Sequence, residues 1–373
     1  MSQHNKKVII SGGGTGGHIF PAVAIADALK QRLDDPDILF IGAKGRMEMD
    51  KVPAAGYPIK GLWISGIQRR LTLKNLSFPF KLISSILKAK RIIKSFKPDV
   101  AIGTGGYASG PMLRVASKRG IPSLIQEQNS FPGITNRLLS KTVDRICVAF
   151  EGMDRYFPSN KITITGNPVR QDIIHTSGKR AEAQKFFGLK ENRKSILIVG
   201  GSQGARSINR ALVSQIKSIL AGEVQMVWQC GNAFLPEAKE AVSALDPDDH
   251  EKVKVHDFIS RMDLAYASAD IVVSRAGAIA ISELCIVGCP IVLVPLPGAA
   301  EDHQTKNARA LSQKDAAILL PDNELEEKLA DTITSLLHDE SRQSMMKENI
   351  RQFARPDATD KIADEVIKLL ESK

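Results

Sequence analysis

The chain has 373 residues, 43% of them hydrophobic and 25% charged, with a net charge of +10. That length exceeds one ordinary core and predicts two domains of a soluble globular protein. The first apolar run, Val8–Ile10, is too short for a signal peptide, and no stretch approaches the roughly 18 uninterrupted apolar residues of a membrane span. Cys147, Cys230, Cys285 and Cys289 have neither CxxC nor zinc spacing and are expected as reduced thiols of a cytosolic protein.

The first predicted strand, KKVII, runs into SGGGTGGHIFPAVAIADAL (Ser11–Leu29), a glycine turn followed by a helix. Glycines let the backbone approach a ligand closely, and helix N–H groups favour negative charge. An anion, or the pyrophosphate of an acceptor, therefore suits Gly14 to Gly17. A dinucleotide site also wants a carboxylate at the end of the second strand. Here that strand, DILFIGAKGRMEMD, ends in Ile41-Gly42-Ala43-Lys44, which argues against a nicotinamide oxidoreductase. His18, at the helix start, is kept neutral by the helix dipole. It is either a general base for a bound hydroxyl or a histidine that shapes the turn.

Between Lys60 and Pro98 lie ten Lys and Arg and no Asp or Glu, equal to the net charge of +10. So local a basic surface points to a polyanion, either nucleic acid or an anionic membrane. The segment FPFKLISSILKAKRIIKSF puts Leu82, Ile86, Ala89, Ile93 and Phe96 on one helical stripe, with Lys81, Lys88 and Arg91 roughly opposite. The stripe is expected to pack on a sheet. The lysines, including Lys74, and the segment Leu73–Phe80, with Leu76, Phe78 and Phe80, are expected to face lipid. Aromatic interleaving suited to base stacking is missing, which disfavours nucleic acid.

Further strands are expected at DVAIG, PSLIQ and RICVAF, then at SILIVGG, VQMVWQ, VKVHDF, DIVVS, PIVLVP and AAILL, with helical periodicity between them. Such alternation implies parallel sheets covered on both faces. VIISGGGTGG is echoed by ILIVGGSQGA at Ile196–Ala205, and two such starts predict two Rossmann-like, doubly wound domains, 1–166 and 167–354. The tail, broken at Pro356, is expected to return as a helix over about 355–373 onto the first domain. In SRAGAIAISELCIVGCP, Gly277 makes a turn, Ala278 and Ile279 offer N–H groups, and Glu283, with Arg275 nearby, suits ribose hydroxyls. EDHQTKNA places Gln304 and Asn307 near another strand's C-terminal end, where ligands gather in such sheets.

GGGTGGHIFPAVAIA, GTGGYASGP, QEQNSFPGITNR, GNPVR, GGSQGARSIN, RAGAIAISE and EDHQTKNA stand in the order and spacing of a known family. The chain resembles the MurG-type glycosyltransferases of peptidoglycan synthesis. The resemblance implies a GT-B fold, α/β with two Rossmann-like domains facing a cleft. It also implies inverting transfer of N-acetylglucosamine from UDP-N-acetylglucosamine to the C4 hydroxyl of undecaprenyl-pyrophosphoryl-N-acetylmuramoyl-pentapeptide (lipid I), giving lipid II. The competing enzyme reading is another GT-B UDP-sugar transferase acting on a glycolipid or diacylglycerol, against which GTGGYASGP and QEQNSFPGITNR argue.

By match, Thr15, Gly16 and Gly17 border the donor sugar and the acceptor pyrophosphate. Gly14 and Thr104, Gly105, Gly106 and Tyr107 belong to the acceptor side. Asn129 and Gln304 meet the sugar hydroxyls, and Arg170 and Ser202 the diphosphate. The backbone of Ile259 reads uracil, Ala278 and Ile279 meet the α-phosphate, and Glu283 meets the ribose. The family often has His where this chain has Gln126, which leaves His18 as base candidate, with Glu127 behind it. The resemblance further implies peripheral binding to the anionic cytoplasmic face of the plasma membrane and contacts with cell-wall or division machinery. The DxD matches Asp35-Pro36-Asp37 and Asp246-Pro247-Asp248 read as polar turns, so neither an essential metal nor a cofactor is expected.

Overall fold

The computed structural model describes residues 5–66, 77–200, 204–221 and 223–372. Lys74, Leu76 and Ser202 lie outside the described residues. The chain divides into two compact units, residues 1–169 with 356–373, and residues 170–355. The division follows Gly166 by a few residues because Asn167 is still bonded into the first unit, through Gln126 and the Gln128 carbonyl.

Among the described residues, the first unit holds a seven-stranded sheet in the order β3-β2-β1-β4-β5-β6-β7. Its strands are β1 (Lys7–Gly12), β2 (Asp37–Ala43), β3 (Ile59–Leu62), β4 (Val100–Gly105), β5 (Ser123–Glu127), β6 (Arg145–Val148) and β7 (Ile162–Ile164). Every pairing is parallel. The sequence pattern misses the two edge strands. β3 (IKGL) and β7 (ITI) are short and broken by polar residues or glycine, so neither shows the continuous apolar run that marks the interior strands.

Both faces of this sheet are covered, which is why its strands are continuous apolar runs. Val8 and Ile10 face one cluster with Ile25, Leu29 and Val366, whereas Ile9 faces the other with Ile92 and Met112. The tail closes the first face. Its helix Ala358–Glu371 buries Ile362, Val366 and Leu370 in the cluster that holds Ile19 and Leu29, and Arg32–Asp364 and Arg145–Glu365 pair at its edges. On the opposite face the helix Phe78–Phe96 sets Ala89 and Ile93 in the core, with Leu82, Ile86 and Phe96 packed against it. Phe78, expected at a lipid surface, packs against that core as well.

Among the described residues, the second unit holds a six-stranded parallel sheet in the order β10-β9-β8-β11-β12-β13. The strands are β8 (Ser195–Val199), β9 (Gln225–Gln229), β10 (Val253–His256), β11 (Ile271–Arg275), β12 (Ile291–Val294) and β13 (Ile318–Leu319). Trp228, Ile196, Ile198 and Val273 lie at its centre, covered in part by Ile208, Leu212, Ile333 and Leu336. The strand order repeats that of the first six strands of the first unit. In each sheet it reverses beside the first strand, between β1 and β4 and between β8 and β11, where doubly wound sheets open a crevice at the strand C-termini.

Candidate active site

In the first unit two glycine loops meet at this crevice. Thr15, in extended conformation (φ −146°, ψ 159°), precedes the helix Gly16–Arg32, which has no acidic residue in its first turn. The loop after β4 locks onto it. Thr104 Oγ1 donates to the His18 carbonyl at 2.8 Å, and Ser109 Oγ donates to the Ser11 carbonyl at 2.6 Å. Gly105 (φ +102°) makes room for the His18 ring, since a Cβ there would lie 2.7 Å from it. Gly106 (φ +85°) lets the two loops touch, since a Cβ there would meet the Gly13 carbonyl at 2.3 Å. His18 is half-buried, and its Nδ1 lies 3.0 Å from Gln128 Oε1. Tyr107 is exposed beside this loop.

A carboxylate does reach the first glycine loop, but from Glu48, beyond the end of β2. It is 1% exposed and accepts from Gly14 N and Ala43 N, both at 2.9 Å. An internal anion therefore takes the Gly14 N–H that the sequence pattern offers to a phosphate. Seating a ligand's phosphate on that amide would set it against a buried carboxylate.

Glu127 closes β5 with 2% exposure. Asn129 N and Nδ2 donate to its Oε1 at 3.0 and 3.2 Å, and Gly133 N and Asn136 Nδ2 donate to its Oε2 at 3.2 and 2.9 Å. Burial pushes its pKa up against these bonds. With both oxygens taken by four donors, Glu127 does not fit a general base; it anchors the loop that carries Asn129.

In the second unit β11 leads through Gly277 into the helix Ala278–Val287. The first intrahelical bond there is Ile281 N to the Gly277 carbonyl, and the first turn has no acidic residue. The preceding amides of Ala278, Ile279 and Ala280 therefore precede the helical ladder, the arrangement that suits an anion at a helix terminus. Glu283 follows on this helix, 9% exposed. Its Oε2 accepts from Tyr266 Oη at 3.1 Å and its Oε1 stands 3.5 Å from Arg170 Nε. Burial raises the Glu283 pKa, opposed by the Arg170 charge and the Tyr266 bond.

Two expected contacts are already engaged within this unit. Ile259 N donates to Gln229 Oε1 at 3.1 Å, so its carbonyl is the group left on that residue's backbone to read a uracil imide N–H. The Arg275 guanidinium bonds Ser207 Oγ, the Val294 and Pro295 carbonyls, and Asp322. It ties the ends of β11 and β12 together and does not fit a ligand contact. Gln304 accepts from Leu296 N at 2.9 Å, which orients its amide, and Asn307 is fully buried on the same helix, His303–Ser312.

Residues 8–148 match the glycosyltransferase family 28 N-terminal domain, and residues 195–362 match the family 28 C-terminal domain. The chain belongs to glycosyltransferase family 28. It is 54% identical to a Flavobacterium psychrophilum protein and 52% identical to one from Christiangramia forsetii, over 98% of this chain and 98% of each relative. Both bear the name UDP-N-acetylglucosamine–N-acetylmuramyl-(pentapeptide) pyrophosphoryl-undecaprenol N-acetylglucosamine transferase. The crystal structure of Acinetobacter baumannii MurG superposes with a TM-score of 0.79 at 30% identity, covering 97% of this chain and 99% of that one.

The two Rossmann-like units are thus the GT-B architecture of a family 28 glycosyltransferase. Thr15, Gly16, Gly17 and His18 gather with Thr104, Gly105, Gly106 and Gln128 in its N-terminal unit. Arg170, Glu283, Ala278 and Ile279 gather in its C-terminal unit. Glu48, Gln128, Gln229 and Tyr266 escaped the sequence reading. Only Gln128 carried a signal there, as a member of QEQN.

Proposed function

We propose that this family 28 enzyme transfers N-acetylglucosamine from UDP-N-acetylglucosamine to the C4 hydroxyl of lipid I, with inversion, to form lipid II. The observation that carries the reading is the 54% identity over 98% of both chains to a transferase named for that donor and acceptor. The donor belongs to the C-terminal unit. Its diphosphate lies on the amides of Ala278 and Ile279 beside Arg170, and by resemblance Ser202, outside the described residues, also contacts it. Its ribose hydroxyls donate to Glu283, held in place by Tyr266, its imide N–H meets the Ile259 carbonyl, and its sugar hydroxyls bond Gln304. The acceptor belongs to the glycine loops of the N-terminal unit, Thr15–Gly17 and Thr104–Tyr107.

In the reaction the acceptor O4 forms a bond to the anomeric carbon as the bond from that carbon to the diphosphate breaks. The O4 proton passes to His18, and the charge on departing UDP is stabilised by the helix amides and Arg170. No divalent metal or cofactor enters these steps. Asp37 starts β2, and Asp246–Asp248 precede β10, so both DxD matches lie at strand N-termini, the ends opposite the crevices.

The acceptor's lipid anchor sets the enzyme on the anionic cytoplasmic face of the membrane. Among the described residues no helix is long and apolar enough to cross it. On the helix Phe78–Phe96 a second apolar row is exposed, Phe80 at 69%, Ile83 at 58% and Leu87 at 49%. With Lys60, Lys88 and Arg91 it lines an open groove of about 700 Å³. Lys88 and Lys81 are tethered, to the Gly61 carbonyl at 2.6 Å and Ser65 Oγ at 3.0 Å. They hold their charge at a fixed height beside the apolar row, where each charge near an anionic bilayer contributes about 1 kcal/mol. The same face would receive cell-wall or division partners at the membrane.

The experiment is transfer of labelled sugar from UDP-N-acetylglucosamine, in the presence of EDTA, to lipid I and to diacylglycerol in separate reactions. Lipid II formation with no product on diacylglycerol is expected. Product on diacylglycerol alone refutes the acceptor assignment, and abolition by EDTA refutes the metal-free step. In parallel, Phe80→Ser with Ile83→Ser should weaken sedimentation with anionic vesicles while leaving UDP affinity unchanged; unaltered sedimentation refutes the membrane face.

A further inference from the structure

A base must carry its hydrogen on the right nitrogen as well as stand in the right place. We propose that Gln128 is a positioning residue that locks neutral His18 in the Nδ1–H tautomer, making Nε2 the basic nitrogen, and that Gln126 and Asn167 lock Gln128 in turn. The inference deepens the reading of His18 as the base and rests on it for its catalytic consequence, though not for the tautomer itself.

Gln128 is 1% exposed. Its Nε2 lies 2.8 Å from the Thr104 carbonyl oxygen and 3.3 Å from that of Gln126, and it also bonds Gln126 Oε1. All three neighbours are oxygens with no hydrogen to give. Turning the amide over would press Oε1 against them, so the surroundings dictate which end points inward. Oε1 is therefore the atom 3.0 Å from His18 Nδ1. An amide oxygen only accepts, so the hydrogen in that bond belongs to Nδ1. In a neutral ring the lone pair then resides on Nε2.

The same argument fixes the rest of the chain of amides. Asn167 Nδ2 donates to the Gln128 carbonyl at 3.0 Å, and Gln126 Nε2 donates to Asn167 Oδ1 at 2.8 Å. That leaves Gln126 Oε1 to receive Gln128 Nε2. Backbone carbonyls, of Gln128 at one end and Thr104 at the other, give every side chain in the relay a single orientation. Gln126 is fully buried and Asn167 is 1% exposed, so water does not compete. An uncharged partner matters too: a carboxylate on Nδ1 would favour imidazolium, which cannot accept a proton, whereas an amide orients the ring without charging it. With glutamine at 126, no relay member besides His18 titrates.

The test is the two-bond proton–nitrogen spectrum of the full chain labelled with ¹⁵N-histidine, with His18 assigned by its loss in His18→Gln. The neutral His18 ring should show a protonated Nδ1 and an unprotonated Nε2. In Gln128→Met this preference should disappear, and turnover with lipid I should fall by about 100-fold while KM for UDP-N-acetylglucosamine stays unchanged. Gln128→Glu, which sets a carboxylate beside Nδ1, should instead favour a ring protonated on both nitrogens. A wild-type ring protonated on Nε2 overturns the proposal without any variant having to fold, as does an unchanged tautomer in Gln128→Met. If His18→Gln retains turnover while the wild-type ring is Nδ1–H, the base reading fails and the tautomer lock stands.

Discussion

At the end of β1 the amide of Gly14 is met by Glu48, a carboxylate of its own unit, whereas at the end of β11 the helix Ala278–Val287 opens with no acidic residue in its first turn. Each place borders the reversal of strand order in its own sheet, β1 on one side of it and β11, the counterpart of β4, on the other. Topology puts a crevice at each reversal, and one side chain from the neighbouring strand's exit decides its charge. In the N-terminal unit the Gly14 donor is spent internally, and the crevice presents a half-buried histidine beside it. In the C-terminal unit the helix amides remain for a ligand's phosphates. In the proposed reaction the N-terminal crevice serves base chemistry and the C-terminal one leaving-group binding.

Moving the charge between the crevices is the strongest way to break this contrast. Ala278→Asp gives the second crevice the anion that the first already has, and UDP affinity measured by calorimetry should fall by about 100-fold, or ~2.7 kcal/mol. Unchanged affinity would mean that the nucleotide's phosphates lie elsewhere.

Removing the internal anion of the first crevice is the converse experiment. Glu48→Ala strands the buried Ala43 N and frees the part-buried Gly14 N, and should cost about 2 kcal/mol in urea unfolding, with UDP affinity unchanged. A stability equal to wild type would show that solvent reaches those amides and that Glu48 is dispensable.

A smaller effect is expected from Tyr266→Phe. It deletes the hydroxyl that orients Glu283 and should weaken UDP binding by about fivefold, near 1 kcal/mol, while 2′-deoxy-UDP, with one ribose donor fewer, should lose less.

The smallest effect is one of pH. The Arg261 guanidinium beside Asp263, with Lys179, holds that carboxyl well below the usual carboxylate range. Its contribution is therefore complete above the unfolded value near 4 and is lost as the pH falls below it. Glu127 in the N-terminal unit and Glu283 in the C-terminal unit are both raised by burial and shift the opposite way, so Asp263 is the group that sets the units apart. Hydrogen exchange resolved by unit should show the C-terminal unit loosening first as the pH falls towards 3, and Asp263→Asn should flatten that dependence. Earlier loosening of the N-terminal unit would contradict the assignment.

Much of this was legible beforehand. Runs such as VII and LIV, each flanked by a helical period, gave the interior strands, and the repeated strand–glycine–helix start gave two units. The edge strands β3 and β7 were not legible, because Lys60, Gly61 and Thr163 interrupt their short apolar runs. Phe80 was expected to face outward, but the apolar row it forms with Ile83 and Leu87 was missed. A helix with two apolar stripes gives one broad signal, and only packing shows which stripe the sheet takes. Glu127 and Arg275 were misread for a related reason. A charged residue in a ligand-binding motif looks the same on paper whether its partners are solvent, substrate or four internal donors.

The amino-acid sequence by itself determined the secondary-structure alternation, the doubling of the fold and the glycines at the two crevices. Those are set by local sterics and by hydrophobic periods a few residues long. Only the tertiary structure decided which carboxylate meets Gly14, 34 positions away, and which amide meets His18, 110 positions away. Such partners are chosen when sheet formation brings distant loops to one edge, and burial then forces each polar atom to find a complement. No spacing rule along the chain encodes that choice.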